Sequence, residues 1–356
     1  MVEPLPHVRE IPPYVPGKLP VARPGLTTYK LSSNENPYPP LAGVLATAEQ
    51  AAAAMNRYPD MGCVALYDAL ATKLGVGTDQ LAAATGSVAL IYHLLSAYCG
   101  PGDEVVHAWR SFEAYPIAIT ASGATGVKVP VTADGRHDLA AMAAAVTERT
   151  RVVLLCTPNN PTGPALTHAE VAAFVDGVSH DVLVVVDEAY LEFVRMADPV
   201  DGLALLRSHP NVVLLRTFSK AYGLAGLRVG YAVADADVAG ALRAVSLPFG
   251  VSSVAQAAAV ASLAAVDELF ARVDSLVAER DRLVAGITAA GWSVPEPQGN
   301  FVWFDVGDRT AELAATFGDA GLAVRPFAGE GLRVSVGEPE ATDRLVGILE
   351  SIRPPA

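Results

Sequence analysis

The amino-acid sequence predicts an α/β protein, with a large unit whose mostly parallel sheet lies between helices and a smaller α+β unit after it. Three observations predict this. Apolar, β-rich runs alternate with helical segments from about Val127 onward, which is the pattern of a parallel sheet covered on both faces. Polar clusters follow three of those runs, Asn159-Asn160-Pro161-Thr162-Gly163, Asp187-Glu188-Ala189-Tyr190 and Ser219-Lys220, where the ligands of such sheets bind. Finally, 356 residues are too many for one compact core. The expected division is an N-terminal arm over residues 1–30, a large ligand-binding domain over 31–248 and a small C-terminal domain over 249–356.

Taken in order, Pro4, Pro6, Pro12, Pro13, Pro16 and Pro20 make the arm extended, and it lacks the apolar core of a signal peptide. Residues 31–40 are turn chemistry, an alanine-rich helix then runs to about Met55, residues 56–60 form a loop, and a further helix ends near Leu74-Gly75. The apolar stretch 81–98, broken by Thr85, Gly86, Ser87 and His93, fits a buried helix rather than a membrane span. Gly86-Ser87 opens the helix of residues 91–98, and Gly100-Pro101-Gly102-Asp103 stops it. Residues 104–108 form a strand leading into Trp109-Arg110-Ser111-Phe112. A strand from Val127, a helix at 139–146, a strand at 152–156, a helix at 168–178 and strands at 182–187 and 212–215 follow, the last stopping at Arg216. A long helical region, 252–290, precedes a smaller unit with strands at 301–306, 323–325 and 331–336.

Composition narrows the function classes. The net charge is −13, from 25 basic and 38 acidic residues, and no Lys/Arg run is present, so neither nucleic acid nor an anionic membrane is an expected partner. Small anionic ligands would be held by a few local cations. Cys63, Cys99 and Cys156 are odd in number and lack C-x-x-C spacing or a neighbouring His pair, so no disulfide framework and no metal site is expected, and the protein reads as cytoplasmic.

The stretch from Thr217 to Gly230 gathers hydroxyls at Thr217 and Ser219, an amine at Lys220 and a guanidinium at Arg228 at the end of a buried strand. That set suits an anionic ligand with a reactive carbonyl, such as pyridoxal phosphate, although taken alone it also fits a solvated loop. Asp187 closes an apolar strand and would seek a cation such as a pyridinium nitrogen, or else cap a helix. Asn160 lies in a turn made rigid by Pro161 and Gly163 and could donate to a ligand oxygen or serve the turn alone. Gly86 and Ser87 at a helix start could hold a phosphate or simply cap the helix, and Phe112 could stack on a planar ring or belong to the core. Tyr58 and Tyr190 are equally open on these grounds.

The order NNPTG, DEAY, SKAYGLAGLR resembles the fold-type I pyridoxal-phosphate aminotransferases, an aspartate aminotransferase-like fold, and within them the histidinol-phosphate aminotransferase subfamily. The likeness begins at LSSNENP, continues through RYPD and GSVALI, and ends at NFVW and GLRVSVG. It implies that the cofactor is pyridoxal 5'-phosphate and that Lys220 holds it covalently and then shuttles a proton between substrate and cofactor carbons. By the same likeness, Asp187 pairs with the pyridine nitrogen, and Asn160 and Tyr190 bond the phenolic oxygen. Gly86, Ser87, Ser219 and Arg228 hold the phosphate together with Thr217, and Phe112 stacks on the ring. Tyr58 reaches the phosphate of the neighbouring subunit's cofactor, which implies a homodimer. Arg333 grips the substrate α-carboxylate, assisted by Asn300.

The substrate is less directly marked. Gly86-Ser87-Val88-Ala89 departs from the histidinol-phosphate pattern, which carries two acidic residues there, while PYVPGK, WRSFEAYP and RTFSKAYGLAGLR resemble actinobacterial aromatic amino acid aminotransferases. These exchange the amino group between phenylalanine, tyrosine or tryptophan and 2-oxoglutarate. In that reading Tyr14 and the Asn34-Glu35-Asn36 loop fold over the substrate, with Phe112 as an apolar wall, while Arg325 could take a substrate phosphate or second carboxylate. The alternatives are a histidinol-phosphate aminotransferase and a decarboxylase on the same fold. A non-catalytic regulator would need a DNA-binding module for which the arm before Leu31 is too short.

Overall fold

The computed structural model describes residues 2–354, so the first residue of the expected arm and the last two of the expected C-terminal domain lie outside the described residues. In chain order the strands are β1 (Tyr29–Lys30), β2 (Leu81–Ala84), β3 (Glu104–Trp109), β4 (Thr125–Pro130), β5 (Thr150–Cys156), β6 (Leu183–Asp187), β7 (Val212–Thr217), β8 (Gly230–Val233), β9 (Phe301–Asp305), β10 (Leu322–Ala323), β11 (Arg325–Phe327) and β12 (Gly331–Ser335).

Seven of them form one sheet in the order β2-β8-β7-β6-β5-β3-β4. Its neighbours run parallel except at β8, which is antiparallel to both β2 and β7. Alternate residues of the apolar strands enter opposite cores, as the two-residue period of a strand requires. Val152, Leu154, Val185, Val213 and Leu215 pack against the helices Ser87–Tyr98, Ala114–Ser122 and Ala236–Ala244. Val153, Leu155, Val184, Val186, Val212 and Leu214 pack on the other face with the helices His168–Gly177 and Ser253–Ala264. A second sheet, β11-β12-β9, is antiparallel, and β1 pairs with β10 in parallel, joining the end of the arm to the C-terminal strands.

Several expected elements change shape. Residues 81–84 form an edge strand on β8 rather than the start of a buried helix, because ladder pairing there overrides the helical preference of alanine. The helix of that region starts at Ser87, after Gly86 takes φ +88°. The alanine-rich helix ends at Ala52 rather than near Met55. β7 continues through Arg216 to Thr217, because the Arg216 guanidinium is buried against Glu188, with Nε donating to the carboxylate at 2.7 Å. The strand expected at 323–325 is split at Val324, one piece pairing with β1 and the other with β12. The long helical region is two helices, Ser253–Ala264 and Val266–Ala289, bent by 83°. No single helix among the described residues is long and apolar enough to cross a membrane.

Candidate active site

The carboxyl ends of β5, β6 and β7 open into a cavity of about 310 Å³, a size suited to a small ligand. Asn160, Asp187, Tyr190, Thr217, Ser219, Lys220 and Arg228 line it from the large sheet, and Arg325 and Arg333 from the small one. Ser87, Phe112 and Tyr14 are also part of the wall.

Lys220 follows β7 on a half-buried loop, and its Nζ donates to the Ser33 carbonyl at 3.1 Å. Burial, reinforced by the charge of Arg333, pulls the amine down to about 7, so near neutrality much of it is unprotonated and nucleophilic. Asp187, at the end of β6, is 3% exposed and accepts from the Tyr115 hydroxyl at 2.8 Å. Burial pushes its carboxyl up to about 6, the signature of an anion without a full counter-charge. A cationic ring nitrogen placed against it would supply one.

Asn160 and Tyr190 keep hydrogen-bonding capacity for a ligand. Asn160 Oδ1 accepts from Arg333 Nη1 at 2.6 Å, which leaves the amide N–H groups as its donors. The Tyr190 hydroxyl accepts from Asn34 Nδ2 at 3.0 Å, which leaves its own proton to donate, and burial raises its pKa so that this proton is kept.

An anion cradle adjoins them. The helix Ser87–Tyr98 begins at the cavity, and a Cβ on Gly86 would stand 2.7 Å from Arg228 Nη2, so only glycine lets the arginine approach the helix start. Gly230 of β8 runs beneath, where a Cβ would meet the Ser87 backbone nitrogen at 2.5 Å. Arg228 Nη1 donates to neutral oxygens alone, Ala225 O at 3.0 Å and Ser219 Oγ at 3.4 Å, leaving its charge uncompensated. Thr217 Oγ1 donates to Ser219 Oγ at 3.0 Å and fixes that hydroxyl. This donor set matches a phosphate monoester. With the acid at Asp187 and the amine at Lys220, it fits pyridoxal 5'-phosphate.

Arg333 of β12 is buried, with Nη2 donating to the Ser32 carbonyl at 2.8 Å and Nε without a partner. Burial lowers its pKa, so a carboxylate there would relieve a desolvated cation. Asn36 and Asn300 lie outside the lining. Asn36 Nδ2 donates to the Ala221 carbonyl and Asn300 Nδ2 to the Asn34 carbonyl, at 3.0 and 3.2 Å, so both hold the loops that flank Lys220 and Tyr190. The Asn300 Oδ1 is buried and unpartnered. Tyr58 is 83% exposed, is stacked on Phe249 with ring centroids 4.7 Å apart, and does not line the cavity of its own chain.

Three contributors escape sequence reasoning: Ser33 through its carbonyl, Tyr115 against Asp187, and Glu113, which lines the cavity and pairs with Arg325. Glu113 and Tyr115 lie within the WRSFEAYP segment, yet nothing in their spacing identifies their partners.

The sequence matches the family model described as aminotransferase class I and II over residues 27–349. It is 57% identical over 343 residues to an aromatic amino acid aminotransferase of Streptomyces avermitilis, covering 96% of this chain and 95% of the relative. It is 53% identical over 341 residues to an aromatic amino acid aminotransferase of Rhodococcus jostii, covering 96% and 93%. The fold superimposes with a TM-score of 0.84 and 30% identity on histidinol-phosphate aminotransferase from Sinorhizobium meliloti in complex with pyridoxal-5'-phosphate, covering 90% of this chain and 89% of that one.

Proposed function

The chain belongs to the class I and II aminotransferases, with pyridoxal 5'-phosphate as cofactor, and from that premise we propose that it transfers the amino group of phenylalanine, tyrosine or tryptophan to 2-oxoglutarate, giving an aromatic 2-oxo acid and glutamate. The observation that carries the chemistry is the meeting of Lys220, Asp187, Asn160 and Arg333 in one cavity. The names of the relatives at 57% and 53% identity support the aromatic substrate.

When bound, the cofactor supplies an electrophilic aldehyde and a ring that withdraws electrons from the substrate α-carbon. Lys220, Asp187, Asn160, Tyr190, Phe112 and the cradle of Gly86, Ser87, Thr217, Ser219 and Arg228 are the residues that would hold it. Lys220 Nζ, as a free amine, would take the proton from the substrate α-carbon and deliver it to the cofactor carbon that had carried the aldehyde oxygen, and the second half-reaction would run the same transfer in reverse. Asp187 would favour a protonated ring nitrogen by its charge, and Tyr115 orients that carboxylate by donating to it. Arg333 binds the α-carboxylate, with Asn160 fixing the guanidinium from one side. Phe112, Phe327 and Tyr14 give the substrate side chain apolar and aromatic walls.

The working unit is a homodimer. The exposed apolar side chains Met55, Tyr58, Met61, Val64, Leu247 and Phe249 support a second copy covering this region, from which Tyr58 would reach the partner's cofactor phosphate. The division into an arm to residue 30, a cofactor domain to 248 and a small domain beyond fits β11 and β12 bringing Arg325 and Arg333 to a cavity otherwise built from the large sheet. The free thiols Cys63, Cys99 and Cys156 support a cytoplasmic location.

Side-by-side steady-state kinetics with phenylalanine and histidinol phosphate, each against 2-oxoglutarate, test the substrate. A higher kcat/KM for phenylalanine is expected, and a clear preference for histidinol phosphate would overturn the assignment.

A further inference from the structure

Lys220, Arg228, Arg325 and Arg333 are the lysine and arginine side chains that line the cavity, and Asp187, Glu35 and Glu113 the carboxylates. The cofactor reading occupies most of them: Arg228 faces the phosphate, Asp187 the ring nitrogen, Lys220 the reacting carbon and Arg333 the α-carboxylate. Glu35 is tied to Lys30 at 2.8 Å. Arg325 and Glu113 remain.

Arg325 and Arg333 lie directly opposite each other in the β11–β12 ladder, so their side chains leave the same face of the sheet. Two guanidiniums at that spacing repel, and each needs its own compensation. They receive it differently. Arg333 has neutral partners only, the Asn160 amide oxygen and the Ser32 carbonyl, and keeps an unpartnered Nε. Arg325 already has an anion: its Nη2 donates to Glu113 Oε2 at 2.7 Å, with its side chain 6% exposed and that of Glu113 27% exposed. Its Nη1 donates to the Pro16 carbonyl of the arm at 3.2 Å, and its guanidinium carbon lies 5.2 Å from the Phe327 ring centroid. Of two adjacent arginines, one is open to a carboxylate and the other is closed.

We infer that Glu113 is a specificity-determining residue, which neutralises Arg325 and thereby lowers the affinity of the side-chain end of the cavity for a second anionic group, the far carboxylate of 2-oxoglutarate included, relative to an uncharged ring. An uncharged side chain can lie beside the closed pair against Phe112 and Phe327 without separating it. A second carboxylate or a phosphate reaches Arg325 only by displacing Glu113, which exchanges one anion for another and leaves a carboxylate to be rehydrated. Glu113 acts through Arg325, so it is a positioning residue that sets the charge of the subsite.

This inference rests on the transaminase reading of the cavity. Its test uses unreactive probes so that the two can fail separately. Holoenzyme is titrated calorimetrically with glutarate, which carries two carboxylates, and with 3-phenylpropionate, which carries one carboxylate and a ring. Glu113→Gln should bind glutarate about tenfold more tightly, because Arg325 is freed, and bind 3-phenylpropionate severalfold more weakly, because the ring then strips water from a charge left without a counter-ion. Glu113→Asp, which keeps the charge on a shorter arm, should stay closer to wild type than Glu113→Gln for both probes. Adding Arg325→Met to Glu113→Gln should erase the gain for glutarate. A structural lesion would weaken both probes together, and that result, or an unaltered preference in Glu113→Gln, would overturn the inference while leaving the substrate assignment to the kinetic panel. If Glu113→Gln does not fold, Glu113→Asp and Arg325→Met carry the same comparison. Glu113→Asp should tighten glutarate relative to 3-phenylpropionate and Arg325→Met should not, and parallel losses in both variants would overturn it.

Discussion

The two halves of the cavity are built in different ways. On the cofactor side, Asp187 ends a parallel strand and Asn160 and Lys220 lie within four residues of the ends of two more, so the backbone that forms the sheet also aims the chemistry. On the substrate side, Tyr14 comes from the arm, Glu113 from the start of a helix, and Arg325 and Arg333 from a small antiparallel sheet more than a hundred residues away. Parallel strands fix one end of the cavity together. The other end is assembled from segments that can vary independently, which is how one reaction can be kept while its substrate changes.

The largest effect that would break this contrast lies on the cofactor side. If Lys220 is both the nucleophile and the proton carrier, as proposed, Lys220→Ala should lower transamination on the order of 10⁴-fold while the protein still binds the cofactor through the proposed phosphate cradle. Stopped-flow half-reactions measure the first, and absorbance after gel filtration measures the second. Residual turnover near the wild-type rate would remove Lys220 from the mechanism.

The same side should respond to pH in a set direction. In the cofactor-free protein the amine of Lys220 is held near 7, so its reactive form is present above that value and is lost as pH falls through it. Asp187, pushed up to about 6, is ionised above that value and neutral below it, so protonation also removes the anion that favours a cationic ring. Both changes act in one direction. The rate at which apoenzyme takes up pyridoxal phosphate should fall roughly 100-fold between pH 8 and pH 5, most of it from the unprotonated fraction of Lys220. A rate that is flat across that range, followed by absorbance, would contradict the buried, uncompensated environment assigned to both groups.

How much of this was legible follows the same division. The strands at the centre of the sheet announce themselves, because burial on both faces demands continuous Val and Leu runs such as those of β6 and β7. The polar residues after those strands were legible for the same reason. β2 was not, since Leu81-Ala82-Ala83-Ala84 carries no strand pattern and is extended only because β8 pairs with it. Nor were the contacts that depend on distant segments meeting: Tyr115 with Asp187 spans 72 positions, and Arg325 with Glu113 spans 212. Asn36 and Asn300 show the limit from the other direction, since their motifs mark the right neighbourhood while their side chains brace loops outside the lining.

On the substrate side, Arg333→Lys sharpens the contrast at intermediate size. Lysine keeps the charge but, with three donors and no planar fork, cannot grip a carboxylate bidentately while also bonding Asn160 and Ser32. Losing one charge-assisted hydrogen bond worth about 2 kcal/mol should lower kcat/KM for phenylalanine roughly 30-fold. The loss should appear mainly in KM, with the spectrum of the bound cofactor unchanged. A shifted spectrum would show that Arg333 serves the cofactor half as well, and the two halves would not be separate.

The smallest effect concerns a residue that lies in neither half of the cavity of its own chain. Tyr58 is exposed and stacked on Phe249, amid apolar side chains that a second copy would cover. If its hydroxyl reaches the partner's phosphate, Tyr58→Phe keeps the stack and the interface and removes one hydrogen bond to an anion. Cofactor dissociation from the dimer should then rise severalfold, up to about tenfold. Equilibrium dialysis at fixed dimer concentration measures it, with sedimentation confirming that the dimer persists. Retention equal to wild type would confine the phosphate site to one chain and leave the Tyr58–Phe249 stack as packing alone. A rise would make the cofactor half the one part of the cavity that no single chain completes, and the contrast with the substrate half would then be one of subunit sharing as well as of strand geometry.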